Sequence, residues 1–210
     1  MPYVFLSGVL GYLIGSIPVA FLLVRWKSSV DIRRSGSGNV GALNSFQVTR
    51  SKWVGGLVLL LDLLKGILAI SLVRVLFDDQ FLILATAGVA VVAGHNFPVW
   101  LKFKGGRGLA TGAGVMLMVS WLVVLIWGIF WFIGFALTRN VNAGNTIASA
   151  AELVGVLVVP AGVLSLLLDP SIAVAEFRLY AAAVFIVILI KHITPMREFF
   201  ASGAVKGLDH

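Results

Sequence analysis

Two short stretches concentrate the residues of this chain that could do chemistry. Residues 102–114, KFKGGRGLATGAG, set Lys102, Lys104 and Arg107 among glycines. Residues 33–44, RRSGSGNVGALN, combine Arg33 and Arg34 with small hydroxyls, Asn39, Asn44 and glycines at 36, 38 and 41. Glycine reaches positive φ without steric cost, so successive backbone N–H groups can converge on an anion, and flanking cations favour a phosphate there. For one such segment alone an ordinary flexible loop is an equal explanation. Two of them, each abutting an apolar run, point to a shared phosphate site.

Titratable groups lie at the edges of the same runs. His95, followed by Asn96, closes the run before the second stretch, and His192 closes the last run, so one of the two histidines is a candidate for proton transfer. His210, the terminal residue, is set aside. Asn142, Asn145 and Arg139 are further candidates for the site, with helix capping the competing role for Asn145. Asp62 and Lys65, three apart, predict a structural ion pair first and a site-supporting role second. Glu152 shares a helix face with Ser149 and Asn145. An intramembrane charge costs roughly 2.5–3.5 kcal/mol on insertion scales, so these groups are expected to face a bundle interior. GGRGLATG lacks the Walker spacing and no strand precedes either stretch, which excludes the common nucleotide motifs. With no Cys and only three His, disulfides and a Cys nucleophile are excluded, and neither a metal nor another cofactor is expected.

The elements that must position these residues follow from composition. The 210 residues are 60% hydrophobic and only 12% charged, and the mean hydropathy of +1.03 belongs to a polytopic membrane protein. The expected fold is all-α, one integral-membrane domain over residues 1–210. The net charge of +7 is read as topogenic, not as a nucleic-acid surface. Apolar runs lie near 3–24, 53–77, 81–101, 109–137, 146–168 and 174–191. The first, lacking a basic segment before it and too long for a signal-peptide core, is read as a span and not a cleaved leader. Arg25, Lys27, Arg33, Arg34, Arg50 and Lys52 follow it, whereas Asp78 and Asp79 follow the second, so the positive-inside rule puts the first connection in the cytoplasm and the N-terminus outside. Arg139 also belongs inside, and it gets there if 109–137 makes a short crossing, Leu109–Val119, and then a second, Trp121–Leu137. Seven helices result, with Lys191, His192, Arg197 and Lys206 cytoplasmic at the C-terminal end. A re-entrant segment is the alternative for the short helix, which reaches only ~17 Å.

GSGNVGALN (36–44), LDLLKG (61–66) and GHNFPVWLKFKGGRGLATGAG (94–114) together closely resemble the acyl-phosphate-dependent glycerol-3-phosphate acyltransferases of bacteria, the PlsY family. The resemblance runs through most of the chain. It implies a monomeric, multi-pass enzyme of the bacterial inner membrane with cytoplasmic motifs, whose partners are membrane lipid and two substrates, acyl phosphate and glycerol 3-phosphate, and no nucleic acid. The products would be lysophosphatidic acid and phosphate. By matched position Ser37, Gly38, Asn39, Gly41 and Asn44 stand in the first phosphate-binding motif. His95, Phe97, Pro98, Lys104, Gly105, Gly106 and Gly108 match the second, with Lys104 as the phosphate-contacting lysine, and His192 matches a histidine closing the last helix. Departures are Leu43 for Thr, Arg107 for Lys, Gln47 where an arginine is usual, and Pro195 and Glu198 where the third motif has Asn and Arg; Arg50 is the candidate to replace the arginine missing at Gln47.

On that resemblance Lys104, Arg107 and the amides of Gly105 and Gly106 are expected to hold one phosphate, and Ser37, Asn39, Asn44 and a loop arginine the other. His192 or His95 would take the proton of the attacking hydroxyl, unless a substrate phosphate does. The glycerolipid acyltransferases with His and Asp separated by four residues are excluded, because Trp100 and Arg197 occupy the Asp positions. A phosphate or organophosphate transporter is the alternative from another class, but it would place polar residues near the midplane, not at one face. A scaffold protein leaves the paired Gly-cation stretches unexplained.

Overall fold

The computed structural model describes residues 1–77 and 79–201; Asp78, Lys206 and His210, named above, lie outside the described residues. All regular structure among the described residues is helical. Helices α1 (Pro2–Gly15) and α2 (Val19–Ser28) are two halves of one candidate crossing. The break falls before Pro18, which has no N–H to donate and whose ring would collide with the preceding turn. After a loop come α3 (Ala42–Thr49), α4 (Lys52–Leu76) and α5 (Phe81–Asn96). Ser51 caps α4, its hydroxyl accepting from the Val54 amide. Then follow α6 (Leu109–Leu117), α7 (Trp121–Thr138), α8 (Val141–Val158), the single turn α9 (Ala161–Leu164), α10 (Val174–Ile190) and α11 (Ile193–Ala201).

Among the described residues five helices are long and apolar enough to cross a membrane, and α10 with α11, bent by 48°, makes a sixth if the pair is one span. The protein is a multi-pass integral membrane protein. The short helix α6 has nine residues, about 14 Å of rise, and is not one of these six. Two expected boundaries are corrected. The run expected over 146–168 starts as a helix five residues earlier, at Val141, because Asn140 and not Asn145 is the cap: its Oδ1 accepts from the amides of Asn142 and Ala143. It stops at Val158 because Pro160 interrupts the apolar run.

The described residues pack as two compact units that divide between Met118 and Val119. In the first, α1 and α5 approach so closely that a Cβ on Gly11 would meet the backbone of Ala87, at 3.0 Å from its Cα. This small-residue seam is how apolar helices gain contact in lipid. The nine-residue α6 lies against α4 in the same manner, a Cβ on Gly66 falling 3.1 Å from the Val115 nitrogen. Ile32, Val40, Val24, Val58 and Leu101 are buried together, so the loop after α2 is pinned to the helices beneath it. In the second unit α7 packs on α8 and α8 on α10. Only 11% of α7 is buried, and Trp121 and Phe132 on it are exposed.

Candidate functional site

The first Gly-cation stretch is built around one side chain. Asn44, 1% exposed, donates from Nδ2 to the carbonyls of Asn39 (2.9 Å), Ser35 (3.1 Å) and Ile32 (3.3 Å), and its Oδ1 accepts from the Ser37 amide (3.0 Å). Two hydrogens are shared among three carbonyls, so Asn44, expected as a phosphate ligand, is engaged in organising the loop. Gly36 and Gly38 take φ of +59° and +71°, the left-handed region that lets the chain curl over Asn44. The Gly38 amide turns back to the Ser35 carbonyl. What the loop leaves open is the start of α3: its N-cap, Gly41, brings no side-chain acceptor, and the first-turn amides have no partner inside the helix. Ser37 is exposed and Asn39 half-buried, while Gln47 is exposed on α3 and Arg50 is exposed just past its end, as a C-cap with φ of +52°. Before the loop, Asp31 accepts from the Arg33 guanidinium at 3.0, 3.2 and 2.6 Å. That pairing pulls the Asp31 carboxyl down to about 2.

The second stretch folds differently. The chain doubles back on the end of α5: Lys102 donates its amide to Val99, Phe103 to Pro98, Lys104 to Leu101, Gly105 to Asn96 and Gly106 to His95. The amides of Gly105 and Gly106, expected to hold phosphate, are therefore spent on carbonyls at 3.3 and 3.1 Å. Lys102 and Phe103 pay for the reversal with φ of +53° and +61°, a strain of about 1–3 kcal/mol each. The turn leaves Lys102 and Lys104 exposed and Arg107 half-buried. Gly108, at φ +82°, is the N-cap of α6 and again supplies no side-chain acceptor. Asn96, fully buried, packs beneath it: a Cβ on Gly108 would lie 2.6 Å from Asn96 Oδ1.

The two stretches meet, as a shared site requires. A Cβ on Gly106 would come 2.6 Å from the Val40 carbonyl and 2.8 Å from Cε1 of His95, so only a bare backbone fits between the first loop and that ring. His95, 8% exposed, points Nδ1 at Asp62, 3.4 Å away, and Asp62 pairs with Lys65 at 2.8 Å. The pair expected from spacing is present, and it has a third member that spacing did not reveal. Tyr12 was also missed: its hydroxyl donates to the Phe97 carbonyl at 2.7 Å and ties the first span to the second loop.

In the second unit His192 is fully buried, with Nδ1 2.9 Å from the Ile188 carbonyl. A carbonyl only accepts, so Nδ1 carries the hydrogen of that contact. Asn145 and Glu152 are buried on α8, where Ser149 accepts from Trp127 Nε1 at 3.1 Å; Asn142 is half-buried and Arg139 exposed. Pro195 is buried and Glu198 exposed on α11. Among the described residues no three acidic or His side chains converge to hold a metal ion.

The family model for glycerol-3-phosphate acyltransferase matches residues 5–202. A glycerol-3-phosphate acyltransferase of Thermotoga petrophila is 40% identical over 140 residues, covering 67% of this chain and 70% of its own. A crystal structure of PlsY (YgiH), an integral membrane glycerol 3-phosphate acyltransferase, in its glycerol 3-phosphate form, aligns with TM-score 0.78 and 28% identity over 99% of both chains. The lysophosphatidic acid form of PlsY (YgiH) aligns with TM-score 0.76 and 28% identity over 95% of this chain and 92% of that one. With the family model spanning nearly its whole length, this chain belongs to the glycerol-3-phosphate acyltransferase family.

Proposed function

We propose that this protein transfers a fatty acyl group from an acyl phosphate to the 1-position of glycerol 3-phosphate, giving lysophosphatidic acid and inorganic phosphate, the first committed step of bacterial phospholipid synthesis. It does so as a monomer and a single functional domain in the inner membrane, with seven crossings, the N-terminus outside and both Gly-cation loops in the cytoplasm. The charge distribution supports that orientation, since Arg25, Lys27, Arg50, Lys52, Lys102 and Lys104 all sit at one end of their spans.

The observation that carries the reading is the meeting of two uncapped helix N-termini, α3 and α6, on loops packed against each other at Val40 and Gly106. A helix start with free amides and a favourable dipole is a phosphate site without further elaboration. Two phosphates enter this reaction, one on each substrate. Ser37, Asn39 and Arg50, with the first amides of α3, hold one; Lys104 and Arg107, with the first amides of α6, hold the other. Gly38, Gly41 and Asn44 shape the first cradle, and Gly105 and Gly106 the second. Asn142 and Asn145 are proposed as further substrate-binding residues. The acceptor hydroxyl oxygen attacks the acyl carbonyl carbon, the bond from that carbon to the phosphate oxygen breaks, and the phosphate leaves with the electron pair. Lys104 and Arg107 meet the accumulating charge. The hydroxyl proton passes to His192 or to a phosphate oxygen of a substrate, while His95, which faces Asp62, is better suited to holding the loop.

Purified protein given glycerol 3-phosphate with palmitoyl phosphate, palmitoyl-CoA or the acyl-carrier-protein thioester tests the donor. Lysophosphatidic acid is expected from palmitoyl phosphate. Product from the thioesters alone would overturn the assignment, and phosphate flux into vesicles without product from any donor would favour a transporter.

A further inference from the structure

A buried polar cluster lies beneath the two loops and takes no part in the transfer steps above. Asp62 and Lys65 are 3% and 6% exposed. The Lys65 ammonium touches Asp62 Oδ1 at 2.8 Å and donates to the Ile17 carbonyl at 3.3 Å, at the Pro18 break in the first span. The same Asp62 oxygen faces His95 Nδ1 at 3.4 Å. A small cavity lined by Ile17, Pro18, Val40, Asp62, Lys65 and His95 lies at the centre of the cluster. Four segments therefore converge on one carboxylate and its ammonium: the break between α1 and α2, the first loop, α4 and the end of α5.

Stability alone does not account for charges in this place. Desolvating two ions costs several kcal/mol each, and well-packed apolar residues of similar volume commonly do as well or better. What the charges supply is direction. A carboxylate only accepts, so Asp62 Oδ1, 3.4 Å from Nδ1 of His95, favours the hydrogen on that nitrogen and one orientation of the ring. That ring lies under Gly106, and the His95 and Asn96 carbonyls receive the Gly106 and Gly105 amides. A rotated ring would displace this turn, and Lys104 and Arg107 immediately flank it.

We propose that Asp62, held in turn by Lys65, is a positioning residue for acyl transfer: it locks the His95 ring beneath Gly106 and thereby sets where Lys104 and Arg107 stand. This inference rests on the reading of the second loop as a phosphate cradle. A misplacement of about 1 Å at a reacting group can cost on the order of 100-fold in rate, and a loss of kcat/KM of that order is expected for Asp62→Asn. The mutant cycle with His95→Gln discriminates a positioning role from a merely structural one. Because Asp62 acts through His95, Asp62→Asn/His95→Gln should be no worse than His95→Gln alone, whereas independent roles would multiply. The apolar pair Asp62→Leu/Lys65→Met should unfold no earlier than wild type in detergent yet share the catalytic loss. Multiplicative losses in the cycle, wild-type kcat and KM for Asp62→Asn, or wild-type kinetics for the apolar pair would each overturn the proposal; should the apolar pair not fold, the cycle decides alone. If wild type itself makes no lysophosphatidic acid from any donor, the functional reading fails, and inorganic phosphate binding by the same variants then tests the positioning role: weaker binding in Asp62→Asn supports it and unchanged binding overturns it.

Discussion

The two Gly-cation loops look alike in composition and are opposite in construction. In 36–44 the glycines are needed for their angles: Gly36 and Gly38 adopt positive φ so that the backbone wraps a buried Asn44, whose side chain supplies the hydrogen bonds. In 102–108 it is non-glycine residues, Lys102 and Phe103, that take the first left-handed turns, while Gly105 and Gly106 are needed for the space they leave. Here the backbone bonds to itself and the side chains of Lys102, Phe103 and Lys104 are exposed. The lesson is that glycine-rich sequence near cations does not specify which amides are available. The loops consume the amides of Ser37 and Gly38 in the first and of Lys102 through Gly106 in the second, and each following helix opens with first-turn amides that have no partner inside it.

This difference predicts where side-chain removal hurts catalysis and where it hurts folding. Lys104 is exposed and its ammonium makes no ion pair among the described residues, so Lys104→Ala should leave unfolding in detergent unchanged and lower kcat/KM by the roughly 2.7–4 kcal/mol typical of one well-aimed donor. Near-wild-type turnover would remove the second loop from the phosphate site. Asn44 is its counterpart. Asn44→Ala leaves buried carbonyls and the Ser37 amide without partners and should cost about 1–3 kcal/mol of stability, read as an earlier unfolding midpoint. If Asn44→Ala unfolded like wild type but lost phosphate binding, Asn44 would be a ligand after all and the contrast between the loops would be wrong.

Much of this was legible in the sequence, and the failures share a cause. The apolar runs gave the helices because span length is a local property, and the Asp62–Lys65 pair followed from three-residue spacing. The start of α8 was misplaced because Asn140, Asn142 and Asn145 read as a polar connection, when the first is a cap and the other two ride on the helix. Helix α3 was hidden within a stretch read as loop, since eight residues carry little periodic signal. The partners of Gly105, Gly106, Asn44 and His95 were not readable at all. They are chosen by which segments the fold brings together, and nothing local distinguishes a glycine whose amide is open from one whose amide is spent.

The glycines sharpen the comparison further. Gly106→Ala would drive a methyl into the Val40 carbonyl and the His95 ring, and neither can yield without moving a loop, so turnover should fall by about 100-fold. Gly38→Ala meets nothing nearer than the Arg33 carbonyl at 3.1 Å and faces mainly the left-handed penalty, about 1–2 kcal/mol. Measured side by side, the first should appear in kinetics and the second in stability. Equal kinetic losses would mean that the two glycines do the same thing.

The smallest effect belongs to the Asp31–Arg33 pair, which closes the first loop at its start. The Arg33 guanidinium hydrogen-bonds Asp31 and lowers its carboxyl to about 2, below the ordinary carboxylate value. A depressed carboxyl stabilises the folded form above the unfolded pKa of about 4 and loses that contribution as pH falls through the folded value. The pair is therefore complete at neutral pH and fades between about pH 4 and 2. Both side chains are partly exposed, at 27% for Arg33 and 21% for Asp31, so solvent screens the interaction and Asp31→Asn should cost no more than about 1 kcal/mol. Unfolding midpoints of wild type and Asp31→Asn should differ slightly at pH 7 and converge toward pH 2. A difference that widened on acidification would show that Asp31 stabilises the loop through its backbone contacts and not through its charge.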